Sequence, residues 1–303
     1  MSQYPSVFDE LGQSLDVSSL RILSRPKPDI FLCGGSDPEK SVRHLFMQYA
    51  KQESEEFYSR LVLAEDVIKS WFRADSYDNL LELEEDLASV ASIVPIFLES
   101  PGSFAEVGSF VCNKDLIKKI IVFQDTKYKD EESFINLGPL HRIRKICSND
   151  DVLCYEWANI DGYFIDIKNN ILEKLNIREK AFYKKNIGDI SILVIEIINM
   201  AQLAKKTDIK AALRTSGIDI TDSRLNKIFY ILEKMECIKE MQAGKSRYYM
   251  SLCQEKMLSL AFKKGAPSID ALEWRFHISD HYSRIDRNWN RLWALVAEEG
   301  GAA

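Results

Sequence analysis

Long apolar runs are missing from this 303-residue chain, and no stretch nears the eighteen or so uninterrupted apolar residues of a membrane span. No basic segment leads into an apolar signal core at the N-terminus, so a cytoplasmic protein is the expectation. Paired cysteine spacing is missing too. Cys33, Cys112, Cys147, Cys154, Cys237 and Cys253 form no C-x-x-C, which indicates neither a zinc site nor a disulfide framework and predicts reduced, mostly buried thiols. There is no internal repeat. Positive charge is also not in excess: the net charge of −6 argues against whole-surface attraction to nucleic acid and leaves room only for a local basic patch.

What the chain does have is 46% hydrophobic residues over a length that suits two packed domains. Residues 1–28 are polar, carry Pro5, Pro26 and Pro28, and read as an arm over the first domain. From Asp29 the pattern turns regular. Ile30 to Cys33 is an apolar run broken by Gly34-Gly35, and a helix is expected to begin near Asp37-Pro38-Glu39. Tyr58 to Leu63 predicts a strand, Tyr77 to Val90 an amphipathic helix and Ser92 to Leu98 a buried strand. A turn at Ser100-Pro101-Gly102, a helix starting at Ser103 and a strand at Lys119 to Phe123 follow. Strands alternating with helices imply an α/β domain over 29–150, with a parallel, Rossmann-like sheet covered on both faces.

Beyond about residue 150 helices dominate. A linking helix within 151–186, spanning Asp161 to Lys185, leads to helices at Ile190 to Leu203, Lys206 to Thr215 and Asp222 to Met235. Ile238 to Met241 and Arg247 to Ser251 flank Ala243-Gly244-Lys245, a hairpin signal. Three helices closed by a hairpin predict a winged helix over 187–252. The tail, 253–303, carries Trp274, Trp289 and Trp293 and reads as one more helical unit ending in a flexible Gly-Gly-Ala-Ala.

In open parallel sheets, ligands settle where the carboxyl ends of strands meet helix N-termini, because unpaired backbone N–H groups gather there. Two glycine turns fit: Cys33 to Ser36, and Glu99 to Gly108. The first is equally a purely structural turn. The second sets a carboxylate, Glu106, at a helix start, with Gly108 allowing close approach. Cleaving a base from ribose passes through an oxocarbenium-like state, which a carboxylate stabilises or attacks. The bland alternative is that Glu106 merely closes a capping box with Ser103.

Pro101 to Gly108 resembles the loop and helix of the nucleoside deoxyribosyltransferase-like superfamily, in which a glutamate before a branched residue and glycine is the nucleophile; the resemblance puts Glu106 in that role. Phe31 to Gly35, Glu99 to Phe110 and Ser133-Phe134-Ile135-Asn136-Leu137-Gly138-Pro139 together resemble the effector proteins of type II retrons, well over roughly residues 28 to 147. That resemblance implies a ribosyltransferase-like domain joined to a winged-helix DNA-binding domain. It also implies NAD hydrolysis, with NAD as substrate rather than cofactor, no metal, and partnership with a reverse transcriptase and its multicopy single-stranded DNA in anti-phage defence. Where the superfamily has an aspartate six residues before the nucleophile this chain has Ser100, with Glu99 displaced by one. Missing acid disfavours ordinary base exchange and suits nicotinamide, which leaves a cationic ribosyl linkage as a neutral molecule.

Around this centre Gly34, Gly35, Ser100, Gly102 and Ser103 are expected to shape the substrate cleft. Glu84 is a candidate for the ribose hydroxyls, with a solvated helix face as its alternative. Asn136 is a candidate for ribose or base, or else a turn former. Arg43 is a candidate for phosphate, or else a surface ion pair, and Asp125 sits at the sheet edge or caps a turn. In the second half, basic residues outnumber acids between Lys206 and Arg247. Arg224, Lys227, Lys245 and Arg247 are the expected nucleic-acid contacts, while Tyr248 and Tyr249 stack on a base or pack in the core. The competing functions are a nucleoside or nucleotide (deoxy)ribosyltransferase and a DNA-binding regulator that only senses a nucleotide.

Overall fold

The computed structural model describes residues 6–68, 77–175, 179–253, 255–268 and 270–300. The chain forms two compact units, one of Lys27–Ile177 and one that combines Met1–Pro26 with Arg178–Ala303. The protein is mixed α/β, with parallel strands confined to the first of these.

Residues 6–26 begin with helix α1 (Val7–Ser14), capped by Ser6 in a reciprocal box with Asp9, and continue into strand β1 (Arg21–Ile22). This segment is not an arm over the domain it precedes. Its Val7, Phe8 and Leu11 are buried in the unit completed by the C-terminal half.

The unit Lys27–Ile177 starts with β2 (Ile30–Phe31), followed by α2 (Val42–Glu53), α3 (Glu55–Tyr58), β3 (Leu61–Val62) and α4 (Ala64–Ile68). Then come α5 (Leu80–Val90), β4 (Val94–Phe97), α6 (Pro101–Phe110), β5 (Ile120–Asp125), α7 (His141–Ile146), β6 (Val152–Tyr155) and α8 (Phe164–Lys174). β2 pairs with β3, and β4 with β5 and β5 with β6, all in parallel. Backbone bonds from Phe31 N to Ile93 O, Cys33 N to Pro95 O and Phe97 N to Cys33 O join β2 to β4. The order is therefore β3-β2-β4-β5-β6. The chain leaves β2 toward one edge and returns on its other side at β4, so a crevice opens between the carboxyl ends of those two strands, the usual seat of ligands in such sheets.

Strands β4 and β5 are buried at every position, as a sheet covered on both faces requires. Phe46 of α2 packs against Phe57, Phe97 and Phe164 at ring separations of 5.5–6.1 Å, drawing α3, β4 and α8 onto one side of the sheet. The expected linking helix is shorter and belongs here. α8 ends at Lys174, residues 176–178 of the expected span lie outside the described residues, and β6 adds a strand the sequence reading lacked.

In the other unit β7 (Lys180–Ala181) pairs antiparallel with β1. Helices α9 (Ile187–Ala201), α10 (Lys206–Thr215) and α11 (Asp222–Lys234) lead into a hairpin of β8 (Ile238–Ala243) and β9 (Ser246–Ser251). Gly244 turns the hairpin at φ 61°, a left-handed conformation that suits glycine. β10 (Leu258–Ser259) pairs antiparallel along the other edge of β1, and α12 (Ala271–Ile285) and α13 (Arg287–Gly300) close the unit. α9 is buried nearly all round, the mark of a central core helix. Its Asp189, fully buried, takes a charge-paired bond from Arg25 at 2.5 Å. α1 crosses α10 so closely that a Cβ on Gly12 would lie 2.1 Å from the Ala212 carbonyl oxygen.

The tail is part of this core. Trp274 and Trp289 are buried, the Trp289 indole donates to the Leu203 carbonyl at 3.0 Å, and Trp289 stacks between Tyr282 and Trp293. Residues 301–303 of the expected flexible end lie outside the described residues. All six cysteines are free, but only Cys33 and Cys237 are buried. Cys112 is exposed and the other three are half-buried, which corrects the expectation of mostly buried thiols. No helix among the described residues is long and apolar enough to cross a membrane.

Candidate active site

The turns after β2 and β4 flank the crevice, and a carboxylate ties them together. Glu99 accepts the backbone N–H of Gly35 at 2.8 Å and of Arg43 at 3.1 Å on Oε1, and that of Val42 at 2.6 Å on Oε2. An internal anion thus sits on the positive end of α2, where ligand phosphates often bind. Gly34 and Gly35 are required by this packing. A Cβ on Gly34 would lie 2.8 Å from the Arg43 Cβ and 3.0 Å from Glu99 Oε1, and one on Gly35 would lie 3.0 Å from the Ser41 Cβ. Their structural role is therefore fixed by what packs against them.

Helix α6 starts two residues earlier than Ser103. Pro101 takes the first helical position, which its fixed φ favours, and Ser100 is the N-cap. The Ser103 N–H donates to Ser100 Oγ at 3.2 Å while Ser103 Oγ accepts from the Ser100 N–H at 3.0 Å. This reciprocal box consumes both serines, and Ser103 Oγ also accepts the Glu99 N–H at 3.1 Å. Ser100 and Ser103 aim Glu99 and α6. Glu106 is not their capping partner, so the bland reading of that residue is removed.

Glu106 turns instead toward Cys33, at the end of the first parallel strand, and toward Glu84, Arg43 and Glu65. Burial, reinforced by the negative charge of Glu84, raises its pKa from 4.5 to about 8, against the opposing pull of Arg43. Glu84, on α5, is raised to about 7 by burial and by the charge of Glu65. The Cys33 thiol, fully enclosed, is pushed well up by burial and by both carboxylates, and it donates a hydrogen bond to Glu106. Arg43 is buried and grips Glu65 through two bonds of 2.6 and 3.1 Å. Of the two alternatives for Arg43 this is the ion pair, with the guanidinium buried and the Glu65 side chain partly exposed, and it holds the cation that faces Glu106. Glu106 Oε2 is buried with no hydrogen-bond partner. An unsatisfied buried oxygen costs roughly 1–3 kcal/mol, which a bound ligand, ion or water would offset.

Three carboxylates, one guanidinium and one thiol therefore meet at the switch point. Glu106, Glu84 and Arg43 were legible beforehand; Cys33, Glu65 and Glu99 were not assigned there. Cys33 stands directly before Gly34-Gly35 at a strand end, a position that flags it. Glu65 lies in a five-residue helix with no motif around it.

The remaining candidates sit elsewhere in this unit. The Asn136 side chain donates to the carbonyls of Tyr128 and Glu131 at 2.7 and 2.9 Å, so it holds a turn. Asp125 caps that same turn through the Lys127 N–H at 3.2 Å. Gly102 is exposed beside the Ser100 hydroxyl. Among the described residues, no group of three or more His, Cys, Asp or Glu is arranged to hold a metal ion.

In the C-terminal unit, Lys245 and Arg247 are exposed on the hairpin, with Arg247 3.6 Å from Glu240. Arg224 is half-buried at the start of α11. Lys227 is only 8% exposed, so it does not offer its charge to a groove, contrary to expectation: it lies on the inward stripe of α11 with Ile228 and Ile231. Tyr248 and Tyr249 are core residues whose hydroxyls donate to Asp286 at 2.7 Å and Glu240 at 3.1 Å.

Residues 39–240 match the family model described as STM3845 retron effector protein. Over 174 residues the chain is 35% identical to the "Retron Ec86 putative ribosyltransferase/DNA-binding protein" of Escherichia coli, a match spanning 54% of this chain and 56% of that one. Over 123 residues it is 38% identical to the Escherichia coli protein of the same description from retron Ec73, spanning 39% of this chain and 38% of the other. The alignments thus reach about half the length of these relatives or less. With more than half of its residues matched by the family model, the chain belongs to the retron effector protein family.

Proposed function

We propose that the chain is an N-glycosidase that cuts the base–ribose bond of NAD or a related nucleotide, with Glu106 as nucleophile or charge stabiliser. The observation that carries this reading is the buried, unpartnered Glu106 Oε2 inside a cluster of three carboxylates and one guanidinium. Such a cluster favours a substrate that brings positive charge. A nicotinamide ribosyl linkage is cationic, and so is the oxocarbenium-like state that follows its cleavage. The same positive charge lowers the pKa of Glu106 from about 8, turning a protonated resting acid into the ionised form that the chemistry needs. A neutral nucleoside would not do this.

In the reaction the C1′–N bond breaks and its electron pair leaves with nicotinamide, which departs neutral. Glu106 then either balances the ribosyl cation while water attacks C1′, or forms a C1′–O bond that water displaces; in both, the new C1′–OH comes from water, whose proton passes to a carboxylate. Glu84, poised near pH 7, is placed to hold the ribose hydroxyls or to take that proton. Ser100, Ser103, Gly34 and Gly35 position this centre through Glu99 and α6.

The strand order and the Glu106 helix support a nucleoside deoxyribosyltransferase-like unit. The three helices and hairpin support a winged helix, with Arg224, Lys245 and Arg247 facing nucleic acid. The relatives' description as "ribosyltransferase/DNA-binding" accords with both. Family membership supports control by a reverse transcriptase and its multicopy single-stranded DNA, and a role as an antiviral toxin.

The test is nicotinamide release from NAD by the full chain, read by chromatography. Release is expected from the unchanged protein and a loss of at least 10³-fold from Glu106→Gln, as removal of a nucleophile implies; full activity in that variant refutes the mechanism. The relatives' "transferase" wording favours a second reading, transfer to an acceptor. Supplying a free base and finding exchange in preference to hydrolysis would select it.

A further inference from the structure

A cavity of about 440 Å³ opens at the same edge of the sheet, over the carboxyl ends of β4 and β5. Its size falls within the roughly 300–1,000 Å³ of small-molecule sites. Leu98 and Gln124 line it from the strand ends, Phe104 from α6, and Tyr128, Ser133 and Trp157 from the loops beyond β5 and β6. Three aromatic side chains thus border one hollow, and Phe104 and Tyr128 are each about 40% exposed although they have apolar faces to cover. Two hydrogen-bonding atoms of the lining, Ser133 Oγ and Trp157 Nε1, are buried without a partner. The Gln124 amide, itself buried, spends Nε2 on the Cys154 sulfur at 3.3 Å, a weak acceptor. Asn136 holds the Tyr128 wall by its two bonds to the 128–131 turn.

Aromatic faces with an indole N–H and a hydroxyl left to pair, beside an amide held only by a weak sulfur acceptor, describe a site for a flat ring that carries its own acceptors and donors. An aliphatic ligand would leave those atoms unsatisfied. Phe104 and Glu106 lie two residues apart on α6, about 200° around the helix, so one helix carries both the buried carboxylate and an aromatic wall of this cavity. We propose that this cavity holds the second heterocycle of a dinucleotide whose first glycosidic bond lies at Glu106. The part about cleavage rests on the N-glycosidase reading; the part about what the cavity binds does not.

Two measurements on the full chain separate these. First, kcat/KM is compared for NAD and for nicotinamide mononucleotide, which lacks the second base. The proposal expects NAD to be preferred by ten-fold or more. Phe104→Ala and Ser133→Ala, which remove a half-exposed ring and an unpartnered hydroxyl and so leave folding intact, should each reduce that preference several-fold through KM for NAD. Trp157→Ala should abolish it. Equal use of both nucleotides, or equal losses on both in the variants, overturns the proposal. Second, adenosine monophosphate is titrated calorimetrically into Glu106→Gln protein. Binding that weakens about ten-fold on adding Phe104→Ala supports the cavity. Absent binding, or binding indifferent to Phe104, overturns it. Should the unchanged protein cleave neither nucleotide, the N-glycosidase reading fails, and the titration alone then decides for or against the cavity.

Discussion

Glu84 faces Glu106 from the neighbouring helix, and its negative charge is the largest cause, after burial, of the raised Glu106 pKa. Both carboxylates are raised, Glu84 to about 7 and Glu106 to about 8, so activity that needs an ionised Glu106 should climb with pH and reach half its plateau near pH 8. Glu84→Gln removes the like charge, which moves the acidic limb of the kcat/KM profile toward lower pH even if the plateau drops. A pH–rate series on both proteins checks this, and a limb that moves upward or stays fixed contradicts it.

Stability carries the same signature with a definite sign. The folded Glu106 holds its proton up to about pH 8, whereas an unfolded glutamate releases it near 4.5. The folded form therefore binds more protons across that window, and its stability falls as pH rises through it. Glu106→Gln, which stays neutral, should raise the melting temperature by several degrees at pH 8.5 and hardly at all at pH 4.5. Calorimetric melts at the two pH values suffice.

The knot at Glu99 makes a mechanical prediction. Replacing this acceptor with Ala strands the N–H groups of Gly35, Val42 and Arg43, at a cost of roughly 3 kcal/mol, and Gly34→Ala forces a Cβ against Arg43. Both variants should lower the denaturation midpoint of the first unit and slow catalysis together, as read by urea titration beside the nicotinamide assay.

For nucleic acid, the exposed hairpin is separable from the core of its unit. Lys245→Glu with Arg247→Glu should weaken binding of single-stranded DNA at least ten-fold and flatten its salt dependence, measured by anisotropy at several ionic strengths. Lys227→Met should leave the salt slope alone and act on thermal stability, because its side chain is buried.

The parallel half was legible where apolar runs stop abruptly at glycine or proline, as at Ile30 to Cys33 and Ser92 to Leu98. β6 escaped because Val152 to Tyr155 is short and follows Asn149-Asp150-Asp151, a polar cluster that reads as the end of a domain. The cap of α6 was placed three residues late because Ser100 and Ser103 are equally good caps; Pro101 was the tie-breaker, favouring a first helical position over a turn. Glu106 was singled out by the resemblance of Pro101 to Gly108 to a superfamily loop, its spacing alone leaving a capping role open. Glu99 and Glu65 were not, since their partners lie 56–64 and 22 residues away, and only a folded sheet brings them together. Lys227 failed for a related reason: a cation within an amphipathic repeat points inward or outward according to a register that composition does not reveal.

The close crossing of Gly12 and Ala212 means that α1 waits for α10, two hundred residues further along the chain. Val7, Phe8 and Leu11 leave the ribosome with nothing to cover them, while Lys27–Ile177 already contains every strand of its own sheet. The Glu106 centre can therefore mature during translation, ahead of the unit that encloses the chain's opening segment. A chain ending at residue 177 would leave α1 without α10 to cover it, whereas one beginning at residue 27 would deprive α10 of its partner helix.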